Sequence, residues 1–156
     1  MTAQTQSGSA ACGTTVAPLV AVLAGDEGRR MGGDKPMRRF GSGTLVDRAL
    51  QLAAGYGPAV VVVLREDGQL NTEIKAQRIY DAAAIPGPLG GLAAVLGWAR
   101  DQGYSHVLTL PCDAPLLPPD LLTGLAAAIC ADRGAVVAAS GGRMHPTCAL
   151  WTVTAA

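Results

Sequence analysis

Three basic side chains in a glycine-rich stretch and two acids that end apolar runs are the parts of this chain that could do chemistry. The basic group lies in Leu23-Ala24-Gly25-Asp26-Glu27-Gly28-Arg29-Arg30-Met31-Gly32-Gly33-Asp34-Lys35-Pro36. Gly25, Gly28, Gly32 and Gly33 let the backbone turn sharply and approach a ligand where a Cβ would clash. Backbone N–H groups exposed in such a loop suit polyphosphate oxygens, and Arg29, Arg30 and Lys35 can neutralise the charge. The spacing matches neither G-x-G-x-x-G nor the G-x-x-x-x-G-K-[ST] phosphate loop, because Lys35 stands between Asp34 and Pro36. A glycine-rich surface turn is the plainer alternative. Lys35 and Lys75 are the only lysines of a chain that otherwise uses arginine, a weak hint that the loop needs a compact point charge.

The first acid, Asp113, leaves the run Tyr104–Leu110 within Pro111-Cys112-Asp113-Ala114-Pro115. Rigid backbone holds it on both sides, at the C-terminal edge of a parallel sheet, where such folds keep their ligands. A carboxylate there, beside a triphosphate, suits Mg²⁺, which takes one or two carboxylates plus phosphate oxygens. A turn or N-cap aspartate is the alternative. Asp81, the second acid, ends a brief strand Arg78–Asp81. The Pro/Gly connection Ile85-Pro86-Gly87-Pro88-Leu89-Gly90-Gly91 follows it and feeds a helix running to about Asp101. Cys112 reads as packing, having no base close in sequence. His106 reads as structural or edge-exposed, and His145 as either a phosphate contact or a turn cap.

The remaining pattern supplies the elements that must hold these groups. Val16–Val22 and Ala59–Leu64 are apolar runs of the kind buried on both faces of a parallel sheet. Phe40-Gly41-Ser42-Gly43 reads as a turn, and Thr44 as the N-cap of a helix to about Ala54. Leu70–Gln77 reads as a short helix, and Pro119 and Asp120 open another. Ala135–Ala139 and Cys148–Val153 complete the strands, with Ser140-Gly141-Gly142-Arg143 as a turn between them. The expectation is a three-layer α/β domain with a mostly parallel sheet and helices on both faces.

At 156 residues one domain over 16–156 is expected, after a disordered lead over 1–15 that is rich in Thr, Ser, Gln and Gly. Twelve basic residues balance twelve acidic ones with no basic block, which argues against a nucleic-acid partner or an anionic membrane surface. The lead lacks the charged start and apolar middle of a secretory signal. Cys12, Cys112, Cys130 and Cys148 have neither metal-site spacing nor disulfide-scaffold density, so free thiols in a reducing cytoplasm are expected.

Four ordered segments between Val16 and Leu150 resemble the molybdenum cofactor guanylyltransferases among the Rossmann-like nucleotidyltransferases. The glycine stretch is similar to their L-A-G-G-x-x-x-R-M-G-x-x-K signature, with Asp26 in place of the second glycine. Asp81 followed by P-G-P-L-x-G-L, the segment P-C-D-x-P-x-[LI]-P around Asp113, and H-P-x-x-A-L from His145 match the other three. The resemblance implies that Leu23, Ala24, Gly25, Lys35, Asp81, Gly87 and Gly91 contact the nucleotide. It also implies that Arg30 and Lys35 hold its phosphates, that Asp113 binds Mg²⁺ and that His145 lies near a second substrate. An asparagine that the family often carries after the second long strand has no counterpart, Arg65 or a neighbour standing there. Family members also continue beyond the point where this chain stops, so a C-terminally short domain is expected.

The activity so implied moves GMP from GTP to molybdopterin with release of pyrophosphate. GTP and molybdopterin are its small-molecule substrates, and molybdoenzyme-maturation proteins are candidate partners. A related transferase using CTP or a sugar phosphate, and a catalytically weak nucleotide-binding homologue, are the alternatives.

Overall fold

A computed structural model describes residues 16–25, 35–70, 73–82, 85, 88–130 and 133–154. Leu19–Leu23 forms the strand β1, at the middle of a six-stranded sheet. Arg39–Phe40 (β2) and Gly43–Thr44 (β3) make a separate two-stranded ribbon, followed by the helix α1, Leu45–Tyr56. Val60–Leu64 (β4), Gln77–Tyr80 (β5), the helix α2 at Pro88–Asp101 and His106–Pro111 (β6) continue the chain. The helix α3, Leu121–Ala128, and the hairpin of β7, Ala135–Ser140, with β8, Arg143–Thr152, complete it.

The strand order in the large sheet is β5-β4-β1-β6-β8-β7. The first four are parallel, with Val20 beside Val60 and Leu108, and β8 and β7 then run antiparallel. Alternation along the strands divides the core in two. Val20, Val22, Val62, Leu64, Leu108 and Leu110 pack with Val46, Ala49 and Ala53 of α1 and Leu125 of α3. Leu19, Ala21, Val61, Val63 and Val107 pack with Val95 and Ala99 of α2. Burial on both faces is why β1 and β4 are continuous apolar runs. These are the three layers expected, with a mostly parallel sheet.

Thr44 caps α1 as foreseen and does so within a full capping box. Its hydroxyl accepts from the Asp47 N–H at 3.2 Å, while the Asp47 carboxylate accepts from the Thr44 N–H at 2.9 Å. Tyr56, at the other end of α1, donates its hydroxyl to the Pro118 carbonyl at 2.6 Å, and Arg48 Nε donates to the Pro115 carbonyl at 3.0 Å. These two bonds fasten the proline-rich loop after β6 to α1, and so steady the segment that carries Asp113.

Two local expectations are corrected and one is borne out. Leu70–Gln77 is not a helix among its described residues: Leu70 is drawn into the core beside α1, and Gln77 already pairs with Val61 as the start of β5. Phe40–Gly43 is the turn expected, and it closes the ribbon of β2 and β3 with Gly41 at φ +60°. The last strand starts at Arg143 rather than Cys148, because Gly141 (φ +56°) and Gly142 (φ +75°) close a two-residue hairpin that brings Ser140 opposite Arg143. Positive φ at both central residues is what such a tight hairpin requires.

Candidate active site

The C-terminal ends of the parallel strands surround a cavity of about 370 Å³. Across the sheet its lining runs from Asp81 after β5, through Val63 and Arg65 of β4 and its loop and Leu23 and Gly25 of β1, to Pro111, Cys112 and Asp113 of β6. Thr147 of β8 closes the far side, and Lys35 and Gly91 also line the space. Strand pairing fixes these groups relative to one another. The Ala24 N–H donates to the Val63 carbonyl at 2.9 Å, the Asp81 N–H to Leu64 at 2.8 Å and the Cys112 N–H to Leu23 at 3.2 Å.

Lys35 Nζ lies 2.7 Å from Asp113 Oδ2. Residues 78 apart in sequence are thereby joined, one from the 3₁₀ turn Lys35–Met37 and one from the loop leaving β6. The lysine side chain is 18% exposed and the aspartate 42%, so both can reach a ligand in the cavity.

Asp81 faces the opposite end. Burial pushes its carboxyl above the ordinary aspartate range, with the Arg65 guanidinium pulling the other way. The first turn of α2 comes in against it because Gly90 and Gly91 lack side chains. A Cβ on Gly91 would lie 2.9 Å from both Asp81 Oδ1 and Val63 Cγ1, and one on Gly90 would lie 2.6 Å from the Ile85 carbonyl oxygen. Replacing Gly91 by Ala is therefore expected to displace Asp81 and to cost about 1–3 kcal/mol of stability from overpacking. Thermal denaturation and nucleotide titration check this; an unchanged midpoint and affinity would mean that α2 shifts freely.

Of the residues singled out in the sequence, Leu23, Gly25, Lys35, Asp81, Gly91 and Asp113 line this one cavity. Ala24 is fully buried behind it. Arg30 and Gly87, together with Asp26 and Arg29, lie outside the described residues. His145 is exposed on β8, its Nε2 2.7 Å from the Ser140 hydroxyl across the hairpin, and it is not among the lining residues. Cys112 is buried at the cavity wall. His106 sits beside the Ser105 hydroxyl at 2.9 Å, and burial lowers its imidazole below the ordinary value.

Two positions at or beside the cavity escaped sequence reasoning. Thr147 is one. The other is Gln69, whose carboxamide donates to the Ala24 carbonyl at 2.9 Å and accepts from the Arg65 N–H at 2.8 Å. That clamp joins the exits of β1 and β4 on either side of Gly25, where a Cβ would stand 3.3 Å from the Arg65 nitrogen. Gln69→Leu strips both bonds and is expected to weaken nucleotide binding about fivefold to tenfold, the worth of one net hydrogen bond. Calorimetric titration with GTP measures it, and wild-type affinity would show the clamp to be idle.

Comparisons with known proteins point to one family. The family model described as a MobA-like NTP transferase domain matches residues 20–156. A curated molybdenum cofactor guanylyltransferase of Mesorhizobium japonicum is 38% identical over 140 residues, covering 83% of this chain and 64% of that protein. The one from Sinorhizobium fredii is 36% identical over 138 residues, covering 86% and 63%. The chain thus spans a little under two thirds of the length of these curated relatives. Among solved structures, the molybdopterin-guanine dinucleotide biosynthesis protein A of Archaeoglobus fulgidus superposes with a TM-score of 0.69 at 24% identity, over 85% of this chain and 66% of that one. The 2-C-methyl-D-erythritol 4-phosphate cytidylyltransferase of Thermus thermophilus gives 0.51 at 17%, over 85% and 69%. Those two structures speak to the fold. With the family model covering most of its length, the chain belongs to the MobA-like NTP transferase domain family.

Proposed function

We propose that the chain is a nucleotidyltransferase that moves GMP from GTP to the terminal phosphate of molybdopterin. The observation that carries this reading is the Lys35–Asp113 pair at 2.7 Å, set at the sheet edge in a cavity whose other end is Asp81 and Gly91. A cation and an acid side by side suit a triphosphate, and a carboxylate with a glycine-floored helix start suits a nucleoside. The curated relatives named molybdenum cofactor guanylyltransferase support GTP and molybdopterin as the substrates.

In the reaction a phosphate oxygen of molybdopterin attacks the α-phosphorus of GTP, and the α–β phosphoanhydride bond breaks. The new phosphoanhydride keeps the GMP unit, and pyrophosphate carries away the bonding electrons. Little covalent chemistry is left to the protein, so positioning and charge neutralisation do the work. Lys35 turns from Asp113 to the phosphate oxygens and offsets the charge that builds on them. Gly25 and Gly91 leave the nucleoside room, while Asp81 accepts hydrogen bonds from it.

The donor set fits Mg²⁺. Asp113 supplies a hard oxygen ligand, and no cluster of three acids, histidines or cysteines occurs among the described residues. This matches an ion usually held by one or two carboxylates together with substrate phosphates. Asp113 would hold it, and the ion would neutralise the triphosphate and polarise the α-phosphate. No helix among the described residues is long and apolar enough to cross a membrane.

The experiment is pyrophosphate release from GTP with Mg²⁺ and molybdopterin, with CTP run in competition. Release that needs molybdopterin and prefers GTP supports the reading, and preference for CTP would replace it with cytidylyl transfer.

A further inference from the structure

Thr147 lines the cavity at a break in the pairing of β7 with β8. From Ala135 to Val137, β7 pairs with Trp151 to Ala149 in one register; from Ala138 to Ser140 it pairs with His145 to Arg143 in another. The shift leaves Pro146, Thr147 and Cys148 without partners on β7. Pro146 has no N–H to give to that ladder, so the break falls where the sequence permits it. Such bulges bend a strand and re-aim its side chains, often beside active sites. Cys148 turns inward and is 3% exposed, whereas Thr147 is exposed and lines the cavity. On its other edge β8 pairs Ala149 with Thr109, and two further residues along that register set Thr147 level with Pro111, two residues before Asp113.

The spatial order of the lining separates two sides. Asp81 and Gly91 lie at the β5–β4 end, Lys35 and Asp113 near the middle, and Thr147 beyond them on β8. If the nucleoside takes the first end and the α-phosphate the middle, as proposed above, the β8 side is left for the incoming nucleophile. We propose that Thr147, which lines the cavity on its β8 side, donates its hydroxyl to the phosphate of the acceptor substrate and positions it for attack. This assignment rests on the transfer reading for the identity of the acceptor, a phosphate monoester.

The test titrates the full chain with molybdopterin by calorimetry, in the presence of Mg²⁺ and an α,β-methylene analogue of GTP, alongside steady-state pyrophosphate release. Thr147→Val keeps the shape and removes the hydroxyl. It should raise the Kd and the KM for molybdopterin about tenfold, the loss expected for one hydrogen bond to a charged group. The KM for GTP and the thermal midpoint should stay unchanged, and Thr147→Ser should restore binding. Unchanged molybdopterin affinity in Thr147→Val overturns the proposal, as does an equal loss in Thr147→Ser or a rise confined to the KM for GTP. A wild-type chain that does not bind molybdopterin overturns it as well. Thr147-dependent binding without pyrophosphate release supports this assignment and sinks the transfer reading; release that is identical in wild type and Thr147→Val does the reverse.

Discussion

Asp113→Asn is expected to lower turnover by about a hundredfold to a thousandfold, the scale on which removing one electrostatic stabiliser of a transition state acts. The shape of the side chain is kept, and only the charge that would hold Mg²⁺ is lost. Folding should survive. Asp113 is 42% exposed, and its ion pair with Lys35 is partly screened by solvent, so losing the pair costs the apo protein little, at most about 1 kcal/mol. Thermal denaturation of the variant should therefore match wild type closely while pyrophosphate release collapses. If the variant kept both its activity and its magnesium requirement, the metal would have to be held elsewhere.

Lys35→Ala follows from the other half of the same pair. Removing the ammonium should cut kcat/KM for GTP by about a hundredfold, because a charge-assisted contact to phosphate is lost inside a cavity where solvent screens it weakly. The fall should appear in kcat as well as in KM, since the charge on the phosphates changes most in the transition state. Lys35→Arg should recover little. The Lys35 side chain is only 18% exposed and lies 2.7 Å from Asp113 Oδ2, close quarters that suit a compact ammonium better than a planar fork. Unaltered kinetics in Lys35→Ala would make the residue a solvated loop charge.

How much of this could be read from the chain depended on whether the cause was local. Runs such as Val60–Leu64 announce a strand buried on both faces, and Thr44 with Asp47 announces the start of α1. Lys35 stood out between glycines and Pro36, and Asp81 and Asp113 as acids at or just past the ends of expected strands and close to Pro/Gly turns; they meet in space because parallel strands all deliver their C-terminal ends to one edge. What escaped depends on partners distant in sequence. Arg143–Thr147 is polar and exposed, so it resembles a loop until β7 is there to pair with it. Thr147 becomes a lining residue only once β8 is laid beside β6, and Pro146 was a local sign of the break in its pairing with β7.

Gln69 is similar, an unremarkable polar residue after Gly68 until the exits of β1 and β4 leave it a carbonyl and an N–H to bridge. Gly68 at φ +81° was the available sign that the chain turns back there. Leu70–Gln77 was misjudged because the core beside α1 and the edge of β4 outweigh a weak helical pattern.

The central claim is that the Lys35–Asp113 cavity supports attack at the α-phosphorus of GTP by a phosphate of the acceptor. Tracing label tests it most directly. With Mg²⁺ and molybdopterin, radioactivity from α-labelled GTP should move into a molybdopterin-bound dinucleotide, while label at the γ position should leave in pyrophosphate. Both should slow by about a hundredfold to a thousandfold in Asp113→Asn. Label from the α position recovered only in free GMP, or from the γ position in orthophosphate, would mean hydrolysis and would contradict the account.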